Sequence, residues 1–184
     1  MREVIVVLSV EHTGTHFLCG FLEYLGKGYK QLHTLDPEVA TYIGGKAVIP
    51  LRDPLLQFMS YRKRGAVQPF GHLLQACVDR WEDLERLIPK FDVEFLRIDT
   101  GMFEVDKEKR IAERTWELQR IANHIEAARD PWGYGWPACN VYKDHPTFYD
   151  EFNSVSEGER KIILDALQAP RDRFGYSGWW AHGH

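Results

Sequence analysis

The chain has 184 residues, 44% hydrophobic and 27% charged, with a formal charge of −4 at pH 7. That length suits one domain, and the composition lies in the ordinary globular range, which excludes a disordered chain. The acidic balance excludes a general nucleic-acid or membrane-surface binder. Residues 1–92 carry 11 basic and 11 acidic side chains, so an anion site in that half must rest on local geometry rather than bulk charge.

The cysteines, Cys19, Cys77 and Cys139, are odd in number and far apart. No metal-type spacing occurs and no disulfide framework is expected; Cys19 and Cys77 read as core thiols. No basic-then-apolar leader opens the sequence, and no apolar run approaches the ~20 residues of a membrane span. The expected setting is reducing and cytoplasmic, with no membrane and no nucleic acid as partner.

Val4 to Ser9 is a run of apolar, mostly β-branched residues, the pattern of a strand covered on both faces in a parallel sheet. Thr15 to Leu25 repeats apolar residues at helical spacing and ends at Gly26. Tyr29 to His33 predicts a short second strand, 35–45 a loop or short helix, and Ala47 to Leu51 a third strand stopped by Pro54. Leu55 to Arg64 and His72 to Leu87 predict helices, and Val93 to Ile98 a fourth strand with Asp99 at its end. Lys107 to Ala128 predicts a long charged helix with a thin apolar face of Ile111, Trp116, Leu118, Ile121 and Ile125. Residues 129–150 read as a loop or lid rich in Pro, Gly and aromatics; Ser156 to Glu159 is a capping-box pattern opening a last helix.

Strands alternating with helices imply an α/β fold. It is expected as one domain over residues 1–184, a three-layer parallel sheet with helices on both faces and right-handed crossovers. Ligands then bind at the carboxyl ends of the strands. The Ser9–Thr15 segment, His33, Arg52 and Asp99 all fall at such ends.

Two of these ends carry phosphate chemistry. Glu11-His12-Thr13-Gly14-Thr15-His16 joins a buried strand to a helix start, which points backbone N–H groups and a helix N-terminus at one spot. It lacks the opening Gly and the Gly-Lys of a nucleoside-triphosphate loop. Leu51-Arg52-Asp53-Pro54 with Ser60-Tyr61 sets a guanidinium at a strand end and a hydroxyl on the next helix, a pairing suited to bidentate phosphate binding.

The first segment resembles the 5′-phosphosulfate loop of sulfotransferases that use 3′-phosphoadenosine 5′-phosphosulfate (PAPS). Thr13-Gly14-Thr15 matches that loop and Phe17 fits its apolar opening, while His12 stands where the family has Lys and His16 where it has Thr or Ser. The second segment resembles the family's 3′-phosphate element, with Arg52 and Ser60 at the two gripping positions. The likeness covers roughly residues 4–64. It implies a P-loop-like fold and transfer of a sulfonate from PAPS to a hydroxyl or amine. The acceptor would be a small molecule or carbohydrate, the adenosine 3′,5′-bisphosphate (PAP) the product, and no metal is expected.

Cofactor binding is then expected at His12, Thr13, Gly14, Thr15, His16, Arg52 and Ser60, with Lys143 as a basic residue closing over the 3′-phosphate. His12 could take over the Lys contact to the bridging oxygen as an imidazolium or by donating one N–H. The base that takes the acceptor proton would be His33 or Glu11, with Glu38, His72 and Asp99 as further candidates. A nucleotide or nucleoside kinase-like phosphotransferase and a non-catalytic nucleotide-binding relative are the competing readings.

Overall fold

The structure, a computed structural model, describes residues 4–63, 69–100, 106–134 and 150–177. The first apolar run forms β1 (Ile5–Ser9), buried at all five positions as a strand covered on both faces must be. It is joined by β2 (Tyr29–His33), β3 (Lys46–Leu51) and β4 (Asp92–Arg97). The four form one all-parallel sheet in the order β2-β1-β3-β4, so the described chain is α/β.

The helices are α1 (Thr15–Tyr24), α2 (Pro54–Lys63), α3 (Phe70–Leu87), α4 (Lys107–His124) and α5 (Glu157–Arg173). Two starts follow their signals closely. Ser156 Oγ accepts the Glu159 N–H at 3.2 Å, and Asp106 accepts the Glu108 and Lys109 N–H groups. The 35–45 stretch holds a 3₁₀ turn over Pro37–Tyr42.

α4 departs from expectation twice. It stops at His124 rather than running to Ala128, because Glu126 adopts a left-handed φ of 52°. Ala127 N–H then bonds Ala122 O at 2.9 Å and Glu126 N–H bonds Asn123 O at 3.1 Å, a Schellman closure. Glycine usually takes that place; here Glu126 takes it, and Lys46 and Lys27 bond the carbonyls of His124 and Glu126 at 2.9 Å, contacts that no local sequence signal marks. Its apolar face also differs: Ile111 and Trp116 are 52% and 65% exposed, and Leu118, Ile121, Ala122 and Ile125 are the buried stripe.

Alternation along the strands separates two cores. Ile5, Val7 and Val48 pack with Phe17, Phe21 and Leu22 of α1 and with the buried stripe of α4. Val6, Leu8, Ala47 and Ile49 pack with Trp81 and Leu84 of α3 and with Phe174 and Tyr176 beyond α5. A third cluster joins α2, α3 and α5 through Leu55, Phe58, Leu73, Ile163 and Leu167. Cys19 and Cys77 are buried thiols, as their apolar surroundings imply; Cys139 lies outside the described residues.

Candidate functional site

Strand order decides where a ligand has room. From β1 the chain moves to β2 on one side, then returns to β3 on the other, so the direction of winding switches between β1 and β3. A crevice opens at the carboxyl ends of two such strands. The segment after β1 is Val10–Gly14, and the segment after β3 is Arg52–Asp53. Both phosphate-type motifs therefore flank one switch point.

The first motif is a tight turn. His12 has φ 64° and Gly14 φ 96°, both left-handed. Histidine tolerates that region better than most residues, but Gly14 is fixed twice over. A Cβ there would lie 2.7 Å from Ile98 Cγ1, just beyond β4. Thr13 is fully buried and donates its hydroxyl to Val10 O at 2.7 Å, so its side chain braces the turn. Gly14 caps α1 with no side-chain hydrogen bond, and Thr15 and His16 begin the helix, His16 exposed. The first N–H groups of a helix have no intrahelical acceptor, so this end has the polarity that suits an anion.

The second motif touches the first at three points. Arg52 Nη1 donates to His12 O at 3.4 Å. Gln57 of α2 donates to Glu11 O at 2.9 Å. The rings of His12 and Tyr61 meet edge to face at 5.2 Å. Arg52 and Ser60 are 4% and 2% exposed, so neither is on an open surface; Arg52 lies against the turn through its contact with His12. The neighbouring basic pair faces elsewhere: Arg62 and Lys63 reach Glu159 and Glu151 at 2.8 and 3.0 Å.

Asp53, directly after Arg52, belongs to a buried network. Arg171 of α5 grips its two oxygens at 3.0 and 3.3 Å. Asp53 Oδ1 also accepts the Leu55 N–H, capping α2. The Asp53 N–H donates to Asp99 Oδ2 at 2.7 Å, and the Tyr176 hydroxyl donates to Asp99 Oδ1 at 3.0 Å. Burial pushes the Asp99 carboxyl up to about 7, helped by the nearby Asp53 charge and opposed by those two hydrogen bonds. Burial pushes Asp53 up as well, and there the guanidinium of Arg171 pulls back. A forked guanidinium contact requires the carboxylate, so Asp99 is the member of the pair that takes a proton.

The candidate bases separate. His33 ends β2 beside β1, its Nδ1 3.3 Å from Ser9 Oγ, and it is half-buried. Glu11 lies in the turn, but its carboxylate is 3.3 Å from Arg80 of α3. Glu38 is paired with Lys30 at 2.5 Å, and His72 is exposed near the start of α3. Asp99 is fully buried and already bonded twice. Lys143 and most of the 129–150 segment lie outside the described residues. Of its described part, Tyr134 packs on Phe17, Phe21 and Tyr24.

Gln57, Arg171 and Tyr176 carry contacts that sequence reasoning does not anticipate. Arg171 reads as an ordinary cation in the last turn of a helix, and nothing local marks it as a partner of Asp53. Among the described residues no cluster of His, Cys, Asp and Glu could hold a metal ion, and no helix is long and apolar enough to cross a membrane. The hollow along α5, lined by Phe152, Arg160, Lys161 and Leu164 among others, shares no residue with either motif. No family model, curated protein or solved structure matches this chain.

Proposed function

We propose that this chain is a PAPS-dependent sulfotransferase on a three-layer, P-loop-like α/β fold, moving a sulfonate to a hydroxyl or amine of a small-molecule or carbohydrate acceptor. The observation that carries the reading is the contact of Arg52 with the His12 carbonyl at the β1/β3 switch point, which sets a guanidinium against the turn at an uncapped helix start. Two anion grips side by side suit a nucleotide with phosphate at both its 3′ and 5′ positions.

In that reaction the sulfur–oxygen bond to the 5′-phosphate breaks and a bond from sulfur to the acceptor oxygen or nitrogen forms. The leaving electron pair stays on the phosphate oxygen of PAP. The chain supplies positioning and charge. The N–H groups at Gly14, Thr15 and His16 receive the 5′ end, and His12 donates toward the bridging oxygen in place of the family's Lys. Arg52 and Ser60 hold the 3′-phosphate. His33 takes the acceptor's proton. It is preferred over Glu11, whose carboxylate is engaged by Arg80. Lys143 is kept as the closing residue on the family resemblance alone.

The test is thermal unfolding with PAP against ADP at equal concentration. A hundredfold excess of PAP over its dissociation constant adds roughly 2.7 kcal/mol of stability, and ADP adds much less. Equal stabilisation by ADP would remove the 3′-phosphate site and favour the kinase-like reading. Strong PAP binding with no sulfonate transferred from PAPS to any of a panel of acceptors would favour the non-catalytic relative.

A further inference from the structure

Neither phosphate grip uses the Arg171–Asp53 pair, yet it lies directly behind one of them. Arg52 and Asp53 are neighbours in sequence at the end of β3. A buried carboxylate beside a guanidinium captures it unless something else neutralises the charge. Here Arg171 supplies the neutralising fork, through Nε to Oδ1 at 3.0 Å and Nη2 to Oδ2 at 3.3 Å, with side chains 3% and 0% exposed. Arg171 is itself held, since Nη2 also donates to Tyr176 O at 3.1 Å. Arg52, whose charge also acts on Asp53, donates through Nη1 to His12 O at 3.4 Å.

We propose that Arg171 is a positioning residue for the 3′-phosphate subsite: by occupying the Asp53 carboxylate it keeps that charge from competing with a ligand phosphate for Arg52. The assignment rests on the sulfotransferase reading and deepens it. It makes a residue of α5, 118 positions away from Asp53 in the chain, a determinant of donor specificity.

The experiment compares calorimetric affinities for PAP and for adenosine 5′-monophosphate, which lacks the 3′-phosphate. Arg171→Met should reduce the preference for PAP over the monophosphate by about tenfold or more, because the 3′ contact passes through Arg52. Arg171→Met combined with Asp53→Asn should restore the preference to within about twofold of wild type, since an amide keeps the cap on α2 but attracts no guanidinium. That rescue is what loss of packing alone cannot produce. Arg171→Lys, a point charge in place of the fork, should give an intermediate loss and serves if Arg171→Met does not fold. The double variant leaves no buried charge at the pair and remains informative in either case. Wild-type preference in a folded Arg171→Met or Arg171→Lys protein would overturn the assignment, as would a double variant no better than the single. A wild-type protein without preference for PAP would overturn the 3′-phosphate reading first, and this assignment with it.

Discussion

Asp99 lies just past β4 where no solvent reaches it, and its two oxygens are met by a backbone N–H and a phenol. Its carboxyl is pushed up to about 7 by that burial and by the Asp53 charge, well above the roughly 3.9 of an unfolded chain. A raised pKa means that the folded state holds the proton more tightly. The stability it contributes is complete below about pH 4 and is lost as pH rises through about 7. Within that window one proton is worth about 1.4 kcal/mol per pH unit. Asp99→Asn should remove this component, so the difference in unfolding free energy between wild type and variant should change steadily from pH 4 to 7. Denaturant titrations at several pH values check this; parallel curves for the two proteins would show that Asp99 is ionised throughout.

At the scale of elements, the turn between β1 and α1 is pinned to the end of β4. Gly14 combines a left-handed φ of 96° with a site where a Cβ would press on the buried Ile98. Gly14→Ala should therefore cost about 1–3 kcal/mol of stability, from backbone strain and overpacking together, measured by denaturant unfolding. A neutral substitution would mean that the turn relaxes easily and is no rigid cradle. The elements themselves were legible where one local cause sets them. The apolar run gave β1, Ser156 gave the start of α5, and the gap from Leu73 to Leu87 at helical spacing gave α3. Legibility failed where a tertiary contact substitutes for the local signal. α4 ends early, ahead of Glu126, which turns left-handed in place of a glycine where Lys46 and Lys27 bond the carbonyls of His124 and Glu126. α2 offers no amphipathic stripe because Pro54 through Ser60 are all buried, with α3 and α5 packed against it.

For the whole molecule, parallel topology could be anticipated from the alternation of strands and helices, and with it the convergence of strand ends. Strand order could not, since sequence contains no term for which side of β1 the chain takes next; the switch between β1 and β3 emerges only from pairing. The same limit hid the Arg171–Asp53 pair, which joins residues 118 apart through a carboxylate that sequence alone would give to Arg52. The central claim is that the turn after β1 and Arg52 after β3 form one site for a nucleotide phosphorylated at both ends. Calorimetric titration of PAP into wild type and folded Arg52→Ala tests it most directly. Loss of a charge-assisted bidentate contact should weaken binding by about 2–4 kcal/mol, with Arg52→Lys recovering only part. Unchanged PAP affinity in a folded Arg52→Ala protein would contradict the account.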